Sequence, residues 1–237
     1  MKCVGIIFAM KEELDELLKD VKIDKEYSIF DLTFYEAMIG NVKCIMLESG
    51  VGKVNAARSC QILIDNIGVD YMFNVGVAGG VSNSLKIGDI VIGCELVQHD
   101  FDITAFNHEK GYIPNVGTYI KCDEYLMDVT KRVLDKENIK ISSGVIASGD
   151  IFCTEYNMAK KINNKFNALC VEMEGASIAQ VCYLSHIPFI VLRSISDAPN
   201  DNNVVDYETF LKDSSEKIAK VLYGVVKKLD EELKWSN

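Results

Sequence analysis

Proline is scarce in this chain, and so are segments that separate domains. The 237 residues include three prolines, and no low-complexity tract or internal repeat is present. A chain of this length that is 49% hydrophobic can bury one substantial core. We therefore predict a single domain over residues 1–237.

Signals for membranes and secretion are also missing. No apolar run approaches the roughly 20 residues that a helix needs to cross a bilayer. The N-terminus has no basic segment followed by an apolar stretch and a small-residue cleavage site. We therefore expect a cytoplasmic protein that does not enter a membrane.

Positive charge is in deficit. Lys and Arg together number 25 against 35 Asp and Glu, which gives a formal net charge of −10. Nucleic acids and anionic membranes require a basic face on their partner, and the sequence shows none. Chemistry on a small molecule is the better expectation.

Paired cysteines are absent although the chain has eight of them. No two stand in a Cys-x-x-Cys pair, and none clusters with the three histidines. They lie in apolar runs, which predicts reduced, buried thiols rather than disulfides or metal ligands.

The usual phosphate-binding loops are missing as well. Neither a Gly-x-Gly-x-x-Gly fingerprint followed by a helix nor a Walker-type Gly-Lys-Ser/Thr is present. Residues 49–53 look similar to a phosphate loop, but the upstream glycine is absent and Lys53 is followed by Val54. We therefore do not expect this loop to bind phosphate.

What is present is an alternation of two patterns. Apolar runs rich in β-branched residues predict buried strands at 3–10, 44–47, 71–77, 89–97, 144–147, 169–173 and 188–195. Helical spacing lies between them, at 11–19, 55–66, 124–136, 156–163, 175–185 and 207–233. The alternation predicts an α/β fold with helices on the faces of a sheet. Residues 101–118 form a long stretch of weak pattern, and such loops often carry binding residues.

Acidic residues stand at the ends of three predicted strands. Glu13 follows the first strand, where an acidic residue also suits the first turn of a helix. Asp197 ends the last strand beside Ser196, and an Asp there is also a common turn or helix-capping residue. Ligands bind at the carboxyl edge of open α/β sheets, so the three sites together favour a functional role.

The third of these sites places two carboxylates inside an apolar run. Glu172 and Glu174 need polar partners, because an unpaired buried charge is costly. A salt bridge to Arg193 in the next strand is one explanation, and recognition of ligand hydroxyls is the other. The small residues Val77, Ala78 and Gly79 end another strand, where they permit either a sharp turn or close approach of a substrate to the backbone.

Taken together, these motifs resemble the 5′-methylthioadenosine/S-adenosylhomocysteine nucleosidase family of the purine nucleoside phosphorylase superfamily. The resemblance covers nearly the whole chain, through residues 5–10 with Glu13, 49–53, 77–80, 85–91, 99–100, 104–106, 148–152, 171–176 and 193–197. It implies a three-layer α/β domain with a central mixed sheet flanked by helices. It also implies a homodimer in which a partner loop completes each site, with Ile103, Phe106 and Pro114 at the positions that reach across.

The resemblance further implies a reaction and roles for residues. The enzyme would hydrolyse the N-glycosidic bond of methylthioadenosine, S-adenosylhomocysteine and also 5′-deoxyadenosine, in methionine salvage and methyl-cycle detoxification, with no cofactor. Asp197 would act as the general acid at adenine N7, Glu13 would activate water, and Glu174 would bind ribose hydroxyls. Supporting and lining roles fall to Arg193, Ser196, Met10, Val51, Phe152, Cys153, Met173 and Tyr207.

Three positions depart from the family pattern. Val77 stands where many relatives have a small hydroxyl residue, which puts the way the water is held in doubt. Cys153 lies at the purine edge, where recognition through the backbone makes the side chain unimportant. Tyr207 replaces a common Phe and changes the lid over the ligand.

Three alternatives use the same fold. A phosphorolytic enzyme would need several arginines at the site, and the chain has only Arg58, Arg132 and Arg193. A hydrolase of aminodeoxyfutalosine would use the same catalytic set. A catalytically silent binding protein would be expected to lack an acidic partner, whereas Glu13, Glu174 and Asp197 are all retained.

Overall fold

The computed structural model of the chain describes residues 1–198 and 203–233. Its strands are β1 Cys3–Phe8, β2 Ile23–Ile29, β3 Leu32–Ile39, β4 Val42–Glu48, β5 Tyr71–Gly80, β6 Ile90–Gln98, β7 Ile120–Lys121, β8 Ile141–Ser148, β9 Ala168–Glu172 and β10 Phe189–Asp197. Its helices are α1 Lys11–Leu18, α2 Lys53–Ile62, α3 Glu124–Lys136, α4 Tyr156–Phe166, α5 Gly175–Leu184 and α6 Asn203–Leu233. A π-helical turn, Leu63–Ile67, continues α2, and a 3-10 turn, Thr104–Phe106, lies in the long loop.

The α/β prediction is confirmed, and each predicted strand and helix is present, α3 with the predicted ends and the others with shifted ends. The β2–β3 hairpin and the short β7 were not predicted. A two-residue turn of Phe30 and Asp31 joins β2 to β3, and Phe30 has a φ of 56°. Phenylalanine is a poor indicator of a left-handed turn, so no residue there predicts a turn.

The strands form one mixed sheet that partly closes on itself. β1 lies parallel to β4 and β5, and β5 lies parallel to β10. From β10 the order continues through β6, β8 and β9, and β9 pairs back to the end of β5. Five strands therefore surround a closed core, while β1, β4, β3 and β2 extend from it as an open sheet.

Two helical layers cover the sheet. Helices α1, α3 and α6 contribute to one apolar cluster, and α2 and α5 contribute to the other. Strand β1 shows why the strands read as continuous apolar runs: Val4, Ile6 and Phe8 belong to the first cluster and Ile7 to the second. The three-layer prediction is confirmed.

The cysteines follow their apolar surroundings. All are free thiols, and six of the eight are buried, whereas Cys3 and Cys94 are partly exposed. Separately, none of the helices in the described ranges combines the length and apolar character needed to cross a membrane.

Candidate active site

A cavity of about 560 Å³ lies where several strands end. The ends of β5, β9 and β10, the segment after β1 and the start of α6 all contribute to it. The described lining residues are Ala9, Met10, Glu13, Val51, Val77, Ala78, Gly79, Phe152, Val171, Glu172, Met173, Glu174, Ser196, Asp197, Tyr207 and Glu208. The structure thus brings together most of the residues that the sequence placed in one site.

Glu13 is buried in the first turn of α1, with 2% of its surface exposed. One carboxylate oxygen accepts hydrogen bonds from the backbone N–H groups of Ala9 (3.0 Å) and Met10 (3.1 Å). The other accepts the N–H of Val77 at 2.9 Å. Burial raises the pKa of Glu13 to about 6, although Arg193 and these hydrogen bonds act in the opposite direction. The two explanations from the sequence therefore coincide, because Glu13 both caps the helix and faces the cavity.

Backbone atoms, rather than the Val77 side chain, hold this carboxylate on the β5 side. A methyl group added at Gly76 would lie 2.4 Å from Glu13 Oε1. Gly76 therefore leaves the space that Glu13 needs. The departure at Val77 leaves this hydrogen bond intact, because the donor is the amide of residue 77.

Asp197 is buried at the end of β10, with 2% of its surface exposed. The Ser196 hydroxyl donates to its Oδ1 at 2.7 Å. The pairing of β10 with β5 shifts register between Ile195 and Asp197, and bulges of this kind redirect side chains near active sites. A methyl group at Gly79 would lie 3.1 Å from Asp197 Oδ2, so the small residue there admits the carboxyl group.

Glu174 lies just before α5, and its carboxylate accepts the N–H of Gly52 at 2.9 Å. Only 5% of the residue is exposed. Burial raises the pKa of Glu174, and the nearby negative charge of Glu172 adds to the shift. At the cavity this group is therefore more easily protonated than an ordinary glutamate.

Glu172 has a different environment. Its carboxylate forms a buried ion pair with Arg193 and accepts hydrogen bonds from the Ser148 hydroxyl and the amides of Glu174 (3.1 Å) and Gly175 (2.7 Å). Burial acts to raise its pKa, but Arg193 and these donors hold the pKa below its usual value. The geometry favours the salt-bridge explanation for this carboxylate, while the residue itself still borders the cavity.

Arg193 does not border the cavity. Its guanidinium donates to Glu172 and to the side chain of Asn74, whose amide in turn donates to the Ile7 carbonyl at 3.1 Å. This network joins β1, β5, β9 and β10 beneath the site. Arg193 thus contacts the Glu172 carboxylate and is not among the described lining residues.

Apolar side chains form the rest of the wall. Met10, Val51, Phe152, Met173 and Tyr207 all line the cavity. The Tyr207 hydroxyl lies 3.0 Å from the Met10 sulfur, and its ring meets Phe152 edge to face at 5.5 Å. These contacts join the start of α6 to the loop after β8.

Besides Arg193, four predicted residues are not among the described lining residues. Cys153 is buried in a smaller recess beside Asp197. Ile103, Phe106 and Pro114 lie on the long loop and are not among the described lining residues. Phe106 is 76% exposed, so its ring has little contact within the described chain.

Residues of two kinds were not predicted as part of the site. Ala9 and Val171 line the cavity and lie within recognised motifs, and Glu208 lines it next to Tyr207. Asn74 and Ser148 act from below by hydrogen bonds to Arg193 and Glu172. Polar residues inside otherwise apolar strands were the available signal for both, since buried polar groups need partners.

Basic side chains are missing from the part of the cavity wall that the structure describes. The described lining residues include neither lysine nor arginine. Arg58 is paired with Asp31, and Arg132 with Glu232, both on the surface. Within the described ranges, no group of three or more His, Cys, Asp or Glu side chains is arranged to hold a metal ion.

Comparison with known proteins gives consistent matches. The model of the phosphorylase superfamily matches residues 4–227. A 5′-methylthioadenosine/S-adenosylhomocysteine nucleosidase of Exiguobacterium sp. is 37% identical over 230 residues, which is 96% of this chain and 99% of that protein.

Two solved structures from Helicobacter pylori have the same fold. One is a 5′-methylthioadenosine/S-adenosylhomocysteine nucleosidase with a bound pyrrolopyrimidine compound, with a TM-score of 0.93, 34% identity, and coverage of 96% of this chain and 98% of that one. The other is a futalosine hydrolase, with a TM-score of 0.93, 35% identity and the same coverage of both chains. The chain therefore belongs to the phosphorylase superfamily and, within it, to the 5′-methylthioadenosine/S-adenosylhomocysteine nucleosidases, enzymes that hydrolyse N-glycosidic bonds.

Proposed function

We propose that this chain hydrolyses the bond between adenine and ribose in 5′-methylthioadenosine and S-adenosylhomocysteine, and in 5′-deoxyadenosine as well. The observation that carries this proposal is a largely apolar cavity whose described wall has no Lys or Arg. It holds the buried carboxyl groups of Glu13, Glu174 and Asp197 beside the ion-paired Glu172. The products are adenine and a 5′-substituted ribose. The corresponding roles in metabolism are methionine salvage and the removal of S-adenosylhomocysteine.

The positions of Glu13 and Asp197 along β5 support a reaction with an acid and a base. Glu13 approaches the strand at Gly76 and Val77, and Asp197 approaches it at Gly79. A strand rises about 3.3 Å per residue, so these points lie about 7 to 10 Å apart. Two carboxyl groups at about 6.5 to 9.5 Å leave room for a water in inverting glycoside hydrolysis.

The chemistry assigns one carboxyl group to each end of the bond. Adenine is a poor leaving group until its ring nitrogen gains a proton, and we assign that proton transfer at N7 to Asp197, held by Ser196. Water is a poor nucleophile until a base accepts its proton, and we assign that step to Glu13. General acid and base catalysis each contribute about 10²- to 10⁴-fold.

Glu174 has the place and charge to bind the ribose. A carboxylate accepts hydrogen bonds from sugar hydroxyls, and its negative charge stabilises an oxocarbenium-like sugar in the transition state. Met10, Val51, Phe152, Met173 and Tyr207 supply the apolar surface for the base, the sugar and the 5′ substituent.

Water rather than phosphate is the proposed nucleophile. The amides of Gly52 and Lys53 at the start of α2 donate to the carboxylates of Glu174 and Asp150. A phosphate at this helix end would have to displace the chain's own anions. The absence of Lys and Arg from the described wall also disfavours a phosphate site.

We also propose a homodimer in which the long loop of one subunit completes the site of the other. The exposed Phe106 supports this proposal, because an isolated exposed phenylalanine ring suits an interface. Ile103 and Pro114 lie on the same loop. Cross-linking combined with a Phe106→Ser variant tests it, since loss of the dimer is expected to lower activity.

The deciding experiment is adenine release from methylthioadenosine and S-adenosylhomocysteine in phosphate-free buffer, with phosphate added back as a control. We expect release without phosphate, and a fall in kcat of about 10²- to 10⁴-fold in both Asp197→Asn and Glu13→Gln. Glu12→Gln is the matched control, because Glu12 is exposed in the same helical turn.

Other outcomes select the alternatives. Release that requires phosphate indicates a phosphorylase. Release from a futalosine-type nucleoside with a higher kcat/KM than from methylthioadenosine changes the preferred substrate. No release from any 5′-substituted nucleoside would favour a binding protein.

A further inference from the structure

A charged cluster lies behind the cavity, outside its lining residues. The Lys53 ammonium group lies 2.6 Å from the Asp100 carboxylate and 3.2 Å from the side-chain oxygen of Gln98. The side chains of Lys53 and Asp100 are 17% and 19% exposed. An ion pair of this degree of burial is screened less than a surface pair, so it fixes its partners more firmly.

Backbone hydrogen bonds extend the cluster to a third element. Asp150 accepts the N–H of Lys53 at 2.8 Å, and its own N–H donates to Asp100 at 2.9 Å. The start of α2 and the segments after β6 and β8 are therefore joined at one point. We call Lys53, Asp100 and Asp150 the rear clamp.

The rear clamp is one residue away from the site. The N–H of Gly52, immediately before Lys53, donates to Glu174. Gly52 has a φ of +102°, a conformation that favours glycine, and a glycine has no side chain to fix the direction of its amide. The direction of this N–H therefore depends on what holds Lys53.

We propose that Lys53, Asp100 and Asp150 are positioning residues that orient the Glu174 carboxylate through the Gly52 amide. The inference rests on the proposed function, because it takes ribose hydroxyls as the ligand of Glu174. Without the clamp, Gly52 loses its orientation and Glu174 loses the hydrogen bond that fixes its carboxylate. The chain then binds the nucleoside with a less well-placed acceptor.

A merely structural clamp would predict something else. It would lower stability, and it would lower activity equally for every nucleoside. A positioning role predicts a loss that depends on the ribose hydroxyls, because only substrates that carry them use Glu174. The two roles are therefore separated by comparing substrates rather than by activity alone.

The test measures kcat/KM for methylthioadenosine and for its 2′-deoxy and 3′-deoxy forms, in wild type, Lys53→Met, Lys53→Arg and Lys140→Met. The nucleosides differ in intrinsic reactivity, but this difference is the same for every variant. It therefore cancels when the ratio of kcat/KM values is compared between wild type and a variant. Lys140 is the matched control: it forms a 2.7 Å ion pair with Asp89, beside the opposite ends of β6 and β8.

We define the hydroxyl factor as kcat/KM for methylthioadenosine divided by kcat/KM for a deoxy form. In wild type we expect this factor to be about tenfold to hundredfold, the size expected for a hydrogen bond to a charged group. In Lys53→Met this factor falls to about threefold or less for at least one hydroxyl. Lys53→Arg keeps the cation and restores part of the factor, and Lys140→Met leaves it unchanged. Thermal unfolding of each variant shows that the protein is folded.

An unchanged hydroxyl factor in folded Lys53→Met overturns the proposal. If that variant does not fold, Asp150→Ala replaces it, because the Asp150 side chain is 50% exposed and its loss removes both the acceptor for the Lys53 amide and the carboxylate that lies 4.0 Å from the Lys53 ammonium group. If wild type releases no adenine, the proposed function fails, and calorimetric binding of the same nucleosides decides the inference. Equal hydroxyl factors in wild type and variant, or no binding of any nucleoside, then overturn it.

Discussion

Glu172 and Glu174 are two residues apart, yet they lie in opposite electrostatic environments. Glu172 borders the cavity, but its carboxylate forms an ion pair with Arg193 in the core beneath, and its pKa is lowered despite its burial. Glu174 faces the cavity with an amide as its donor, and its pKa is raised. Glu13 resembles Glu174, because backbone amides bind its carboxylate and burial raises its pKa to about 6.

The difference shows how one residue type serves two purposes. A buried carboxylate with a cation is fixed as an anion and stabilises the fold around it. A buried carboxylate that has only peptide dipoles as partners has a pKa closer to neutral pH, which suits proton transfer. The chain places the buried Arg193 below the cavity, where it pairs with Glu172, whereas the printed hydrogen bonds to the Glu13 and Glu174 carboxylates come from backbone amides.

Removal of Arg193 is expected to have the largest effect on the difference between the two glutamates. Arg193→Met leaves Glu172 buried without a counter-charge, so we expect the free energy of unfolding to fall by about 3–5 kcal/mol in a urea titration. The double variant Arg193→Met/Glu172→Gln is expected to regain a large part of that loss, because no unpaired charge remains. A single variant as stable as wild type would contradict this account of the core.

Displacement of the Glu13 carboxylate tests whether a cavity carboxyl group needs its observed position. Gly76→Ala adds a methyl group where the Glu13 carboxylate lies, 2.4 Å from Oε1. We expect kcat to fall about a hundredfold, since displacing a reacting group by about 1 Å has an effect of this size. Gly224→Ala in α6 is the control, because its methyl group would meet only the Val133 side chain, at 3.1 Å. Equal activity of the two variants would show that Glu13 does not need its observed place.

Proton uptake at Glu13 sharpens the same point. A base acts only when deprotonated, so with a pKa of about 6 we expect kcat/KM to fall with decreasing pH below that value. The limiting slope is about tenfold per pH unit for one group, and steeper where Glu174 also takes up a proton. The measurement is a pH profile of kcat/KM from pH 5 to 9, and activity that stays level to pH 5 would contradict it.

The ionisation of Glu13 affects stability in the opposite direction: activity rises with pH, whereas its contribution to stability falls. The folded-state pKa of Glu13 is raised from 4.5 to about 6, so its contribution to stability is complete below 4.5 and is lost as the pH rises through 6. Glu13→Gln removes that loss. We therefore expect the difference in unfolding free energy between the variant and wild type to grow in the variant's favour between these pH values.

The smallest effect is expected on the uncharged wall. Tyr207→Phe removes the hydroxyl beside the Met10 sulfur but keeps the ring against Phe152. A thioether is a weak acceptor, so we expect kcat/KM for methylthioadenosine to change less than about threefold. Tyr207→Ala is the contrasting variant, because it removes the ring as well. A large loss in Tyr207→Phe would assign the hydroxyl a direct role at the ligand.

Much of the fold was predictable because the strands are buried on both faces and the helices have one apolar face. Helix α3 was predicted with its observed ends, since Asp123 caps it and Lys136 lies in its last turn. The β3–β4 turn had a sequence signal in Gly40 and Asn41, which was not used. The β2–β3 turn had none, because Phe30 adopts a conformation that its residue type does not suggest.

The site was predictable only where residues stand at strand ends. Glu13, Glu174 and Asp197 share that feature, and the structure places all three on one cavity. The rear clamp was not predicted, because its residues come from the start of α2 and from the segments after β6 and β8, which meet only after the sheet has closed. The need for Gly76 was also hidden, since it depends on the path of a side chain 63 residues earlier.

The closure of the sheet leaves β2 as an edge of the molecule, and its sequence is suited to that position. Among the described strands, β2 pairs only with β3, so its other side presents unpaired backbone groups. Asp24, Lys25 and Glu26 are exposed along it. Charged side chains on an edge strand hinder the addition of a strand from another molecule. A strand with no residue on the described cavity wall thus protects the chain against edge-to-edge aggregation.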